Sequence, residues 1–191
     1  RDRSPSRGLG DVYKRQGIII CGISMEGLQT MAEMLKNRDM EKYYLCIVKG
    51  KLNKPQKVSA YLRKDEKTNK VTVSKQEIFG GNHIETAYEP VISNDEFTLL
   101  KVKLITGKTH QIRAHLASIG HPLIGDFKYG DRKINQQMKQ RFGLKDQLLH
   151  CQEIVFPKHM KTCSNLSGKR IQAPLPKRFE TIKQELFGRD L

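Results

Sequence analysis

The residues whose types and spacing could do chemistry lie in the stretch Thr106-Gly107-Lys108-Thr109-His110-Gln111-Ile112-Arg113-Ala114-His115. An apolar run ends here, Gly107 turns the chain, and a helical pattern covers Thr109 to Ile119. The first turn of a helix has free N–H groups and a positive dipole end, so it favours an anion. Lys108, His110 and Arg113 add donor side chains at that corner. Gln111 and Arg113 fall off the stripe formed by Ile112, Leu116 and Ile119, so both can face a cleft. A charged first turn that is merely solvated would use the same residue types.

Two more stretches join it. In His121-Pro122-Leu123-Ile124-Gly125-Asp126-Phe127-Lys128-Tyr129-Gly130, two glycines and a proline define a loop, and Asp126 is expected to accept backbone N–H bonds. In Glu41-Lys42-Tyr43-Tyr44-Leu45, strand alternation sends the two tyrosines to opposite faces. One can be core and the other a stacking ring in a cleft; the pattern alone does not choose. His110, His115, His121 and His150 do not make a metal set. His110 and His115 are five apart and turn off a common helix face, and no carboxylate cluster accompanies them, so a metal-dependent nuclease is disfavoured.

These stretches need elements to position them. Gly17-Ile18-Ile19-Ile20-Cys21 reads as a buried strand. Ser24 caps a helix over Met25 to Asn37, with Leu28, Met31, Ala32 and Leu35 on its expected buried face. Tyr43 to Val48 is a strand, Lys51 to Lys57 a basic loop, Asp65 to Lys70 a polar turn and Val71 to Ser74 a short strand. Glu85 to Ile92 and Phe97 to Ile105 read as an antiparallel pair around Asn94-Asp95. Ile134 to Phe142 is a helix and Leu148 to Phe156 a strand. A final helix follows Pro174 and Pro176, its stripe Phe179, Ile182 and Leu186. Strands in the middle with irregular helices argue an α+β fold with a mixed, largely antiparallel sheet.

The chain has 191 residues, enough for one domain with a real core. Its 35 Lys and Arg against 20 Asp and Glu leave a net charge of +15, which points to a polyanionic partner, RNA or DNA first. No membrane-spanning run, basic amphipathic helix or lipidation signal appears. Cys21, Cys46 and Cys151 lie in apolar runs and Cys163 stands apart; thiols without a disulfide framework suggest a reducing cytoplasm. Residues 1–16 hold Arg, Ser, Gly and Pro with no periodicity, and are expected to be a non-native or misjoined segment.

Together, Thr106 to His115, His121 to Gly130, Leu148-Leu149-His150-Cys151 and Ala173-Pro174-Leu175-Pro176 resemble the RluA-type family of RNA pseudouridine synthases. The ordered set is specific where each piece would be weak. The resemblance implies that residues 17–188 are the C-terminal two-thirds of that family's catalytic domain, lacking its N-terminal part. It implies isomerisation of uridine to pseudouridine in structured RNA, with large-subunit ribosomal RNA preferred over transfer RNA, and no cofactor or metal. The family's arginine falls on Arg113 and its active-site tyrosine on Tyr44. Leu149 would line the base pocket, and Lys108, His110, Gln111 and Lys128 would contact the substrate. The target uridine would be flipped out to reach them.

One feature departs from that pattern. The family's nucleophilic aspartate belongs to His-Arg-Leu-Asp, ahead of a Thr-Ser-Gly whose glycine aligns with Gly17. Counting back places Val12 at the aspartate, with Asp11 beside it and Arg15-Gln16 in place of Thr-Ser. Valine can neither attack nor pair with Arg113. The expectation is an inactive chain; the alternative is a non-catalytic RNA-binding protein on the same scaffold.

Overall fold

A computed structural model describes residues 16–188. Val12 and Asp11 lie outside the described residues, as does most of the segment expected to be non-native. The elements in chain order are β1 (Gln16–Gly17), α1 (Met25–Asn37), β2 (Glu41–Lys49), β3 (Gln56–Asp65), β4 (Lys70–Ser74), β5 (Asn82–Ser93), β6 (Phe97–Leu104), α2 (Gln111–Ser118), α3 (Arg132–Phe142), β7 (Leu149–Val155), β8 (Arg170–Gln172) and α4 (Lys177–Phe187). The strands form one sheet in the order β1-β7-β2-β6-β5-β3-β4, with β8 also on β7. Only the β1–β7 pairing is parallel among those described; the rest are antiparallel. This is the α+β architecture that the patterning implied.

Alternation along the central strands builds two cores, one per face. Leu45, Ile47, Phe97 and Leu99 point to one side and pack with Met138 of α3 and Phe179 and Ile182 of α4. Cys46, Val48, Leu100 and Val102 point to the other and pack with Ile112 and Leu116 of α2. Each Ile or Leu buried this way contributes about 1.5–3 kcal/mol. On the same face as α2, α1 lays Met31 and Met34 over Cys151 and Ile154 of β7. The central strands thus carry helices on both sides, and their surroundings are set before any loop is considered.

Local signals explain the boundaries. Ser24 caps α1, its Oγ accepting the Gly27 N–H at 3.1 Å. Asp131 caps α3 through the Ile134 N–H. Gly120 takes φ +90° just past α2, where the helical pattern stops.

Several details depart from the sequence reading. The buried edge of α1 is Met31 and Met34; Leu28 and Leu35 stay 52% and 44% exposed, so the period holds and the phase is rotated. The run from Ile18 to Cys21 pairs only at its start, through β1 and the Ile18 N–H to the Cys151 carbonyl. Ile18 and Ile20 pack on the core while Ile19 and Cys21 are exposed. Cys21 is therefore not the small buried hydrophobe its neighbours suggested. The β3 strand, passed over in the sequence, alternates buried Val58, Ala60 and Leu62 with outward Lys57, Ser59 and Arg63.

Candidate active site

Two elements, α1 and α2, share a face of the sheet. Tyr44 joins the two: it is partly buried and packs against both the α2 cluster and the α1 cluster. Its register partners are Val102 on β6 and Cys151 on β7. A bulge at Tyr43/Tyr44 makes Gln152 the extra residue of β7, so Tyr43 faces Glu153 while Tyr44 faces Cys151. That resolves the tyrosine ambiguity. Tyr43 lies on the opposite face, its ring under the Lys101 and Lys103 ammonium groups at 5.0 and 5.6 Å. Burial raises the Cys151 thiol, and a side-chain hydrogen bond with Tyr44 and the nearby Lys42 act in the other direction. Leu149, half-buried at the start of β7, packs in the same cluster as Tyr44 and Ile112.

Arg113 follows Ile112 on α2, and its partner is Asp126. The guanidinium Nε and Nη2 donate to the two carboxylate oxygens at 2.7 and 2.8 Å. Asp126 is fully buried and the Arg113 side chain is 14% exposed. The same carboxylate accepts the backbone N–H groups of Lys128 and Tyr129 at 2.9 and 3.0 Å. Burial works hardest against its ionisation, yet Arg113 and these N–H groups together hold the carboxyl below its ordinary range. The expected backbone bonds to Asp126 are present; the ion pair, thirteen residues away in sequence, was not visible in the pattern. Arg113 also stacks its guanidinium 5.2 Å over the Tyr129 ring.

The loop that carries Asp126 can use only glycine at both ends. A Cβ at Gly125 would lie 2.3 Å from the Asp146 carbonyl oxygen, and one at Gly130 would lie 2.2 Å from that of Asp126. Asn135 locks the loop from α3: its Oδ1 accepts the Gly125 N–H and its Nδ2 donates to the Asp126 carbonyl, each at 2.8 Å. Tyr129 links it to the sheet edge, its hydroxyl accepting the Val71 N–H at 3.1 Å and lying 3.0 Å from His110 Nδ1.

The remaining predicted site residues divide. Lys108 is exposed beside Gly107. His110 takes φ 54°, a left-handed conformation uncommon outside glycine, at the start of α2. Lys128 reaches the Asn69 carbonyl across the β3–β4 turn. Gln111 is corrected: it does not face a cleft but is 2% exposed, and its amide is fully used inside the protein. Its Oε1 accepts from the Thr106 hydroxyl and the Lys108 N–H, and its Nε2 donates to the Glu85 carbonyl and the Thr86 hydroxyl. It is a strut that fixes the turn before α2 to β5. The structure brings Tyr44 and Leu149 together, and gathers Arg113, His110 and Lys128 around the 121–130 loop. The sequence reading passed over Lys42, whose alternation with Tyr44 was the available signal.

The RNA pseudouridylate synthase family matches residues 14–118. The ribosomal large subunit pseudouridine synthase C of Pasteurella multocida is 36% identical over 170 residues, covering 87% of this chain and 49% of that protein. The protein of the same name from Haemophilus influenzae is 34% identical over 174 residues, covering 89% and 51%. The chain spans about half the length of the curated relatives it matches. Among solved structures, human RNA pseudouridylate synthase domain containing 4 superimposes with a TM-score of 0.67 at 19% identity, over 85% of this chain and 68% of that one, which shows the shared fold.

Proposed function

The chain belongs to the RNA pseudouridylate synthase family, and we propose that α1 and α2 bound a cleft over Tyr44 that is the uridine site of an isomerase, an intramolecular transferase acting on structured RNA. Large-subunit ribosomal RNA is the proposed substrate, on the names of the relatives. The observation that carries the reading is Tyr44: a partly buried aromatic ring between the α1 and α2 clusters, with apolar Leu149 packed against the same cluster. A flipped base needs an aromatic or apolar wall to replace the stacking it loses. The net charge of +15 supplies long-range attraction for RNA.

In this reading Tyr44 and Leu149 hold the uracil, Arg113 orients the nucleophilic carboxylate, and Lys108, His110 and Lys128 meet phosphates. The chain as written holds Val12 where that carboxylate belongs and does not turn over. A tritium-release assay on large-subunit RNA labelled at uridine carbon 5 tests both parts. This chain is expected to release no tritium. A version whose residues 1–16 are replaced by a relative's aspartate-bearing segment is expected to release it. A folded replacement that stays silent sinks the enzyme reading, and turnover by the unaltered chain sinks the inactivity.

A further inference from the structure

The face of the sheet that carries Tyr44 also carries a charged, partly buried group, Lys42. Lys42 precedes Tyr44 by two residues on β2 and so shares its face. Its register partner, Ile154, packs under α1. The side chain reaches the turn before α2: a Cβ placed on Gly107 would stand 3.6 Å from its Nζ. Because Gly107 has no side chain, the space beside the ammonium stays open, and Lys108 follows at once. The other face of the sheet behaves differently. There Lys57, Lys101 and Lys103 are matched by Glu85, Glu89 and Glu41. Among the described residues, Lys42 forms no ion pair with any carboxylate.

A cation that has lost water without gaining a partner is destabilised, and an arriving anion relieves it. Burial pushes the Lys42 amine below its usual value, with Cys151 opposing more weakly, in line with its partly buried position. Lysine is a compact, strongly hydrated point charge on a flexible stem, suited to a phosphate rather than to a planar fork of bonds.

Resting on the reading of the cleft given above, we infer that Lys42 binds a backbone phosphate of the RNA at the target nucleotide, between its Nζ and the Gly107–Lys108 turn. Its role is to position the nucleotide over Tyr44. The other anion that would suit the amine is a carboxylate of this protein, and salt dependence separates the two. Each phosphate neutralised by a cation contributes about 0.7–0.9 to the slope of log affinity against log salt.

The test is fluorescence anisotropy of the intact chain with a short, labelled, uridine-containing RNA stem-loop, between about 50 and 200 mM salt. Lys42→Gln is expected to weaken binding on the order of tenfold at the low-salt end and to reduce the slope by about one unit. Lys42→Arg should restore the slope. Lys103→Gln, on the opposite face, should leave it unchanged. Thermal melting guards against a folding artefact: Lys42→Gln and Lys42→Met should melt no lower than the wild type, since they remove an unmatched charge. Equal slopes for wild type and Lys42→Gln overturn the inference, as does a large loss of melting temperature in both neutral variants. If the wild type binds no RNA, the reading of the whole cleft fails with it. If it binds and Lys42→Gln is silent, only Lys42 is at fault.

Discussion

Replacing Asp126 by Asn should cost this fold more than most core truncations. The native carboxylate receives four donors: Nε and Nη2 of Arg113 and the backbone N–H groups of Lys128 and Tyr129. Asparagine keeps one oxygen for the two backbone groups and turns an amide NH2 toward the guanidinium, donor against donor. Arg113 is then left mostly buried with its charge unmatched. Removing one partner of a buried pair typically costs about 3–5 kcal/mol. A chain of this length unfolds with an entropy near 0.4 kcal/mol/K at its midpoint, so a loss of about 4 kcal/mol lowers Tm by about 10 °C. Adding Arg113→Met should return a good part of that, because the orphaned cation is gone and the oxygen still serves the loop. The pH dependence has a fixed sign. The Asp126 carboxyl is depressed in the fold, so its contribution is complete above the unfolded value near 4 and disappears as pH falls through the lower folded value. The Tm gap between wild type and Asp126→Asn should therefore hold at neutral pH and close below about pH 4. Differential scanning calorimetry of the three proteins across that range decides it. A neutral-pH gap under about 2 °C, or a double variant that sums both losses, would refute the ion-pair account.

Two substitutions test the struts around the site. Gln111→Leu fits the volume but takes the acceptor from the Lys108 N–H and removes one hydrogen bond each from the Glu85 carbonyl and the Thr86 and Thr106 hydroxyls, which keep partners in Thr106, His115 and Glu85. At about 1–3 kcal/mol for the donor left unpaired and about 0.5–1.5 kcal/mol for each further bond lost, with partial relaxation, a Tm fall of about 5 °C is expected by circular dichroism; an unchanged melt would mean that the amide was not bearing the turn. Gly130→Ala drives a methyl to 2.2 Å from the Asp126 carbonyl oxygen and 2.8 Å from Asn135 Nδ2. Hydrogen exchange at Lys128 and Tyr129 should speed up markedly, and protection equal to wild type would show that the loop accommodates the side chain.

Much of this fold was legible because burial follows hydrophobic period. The α1 boundaries and its Ser24 cap, the β5–β6 pair and the Phe179–Ile182 edge of α4 come directly from spacing. The failures have physical causes. β8 is three exposed residues, Arg170–Gln172, and carries no hydrophobic signal. β3 hides because Ala60 is small and its outward face is charged. Leu28 and Leu35 mislead because periodicity fixes a stripe only to within its own width, and the methionines at 31 and 34 meet β7 instead. Gln111 was misplaced for a different reason: a polar residue buried by hydrogen bonds looks in sequence like one that faces water. Tyr44 was placed through resemblance, and its alternation with Cys46 and Val48 along β2 supplies the local reason for its orientation.

Arg113 joins these threads. A guanidinium presents five N–H donors in a fixed fork, and Asp126 occupies the Nε–Nη2 edge. The Nη1 edge is not needed for that bond. An arginine waiting for a catalytic carboxylate would otherwise be a nearly buried charge with nothing to aim it, and such a charge destabilises the domain that holds it. Asp126 removes that difficulty: it neutralises Arg113, fixes its plane against Tyr129, and is itself fixed by the 121–130 loop and Asn135. All of these residues fall between 113 and 135, far in sequence from Val12. The described partners of the arginine thus come from α2 and its loop, and in the proposed site a carboxylate restored at position 12 would give the orphaned guanidinium a second partner, so the neutral-pH Tm loss from Asp126→Asn should be smaller when residues 1–16 are replaced by an aspartate-bearing segment.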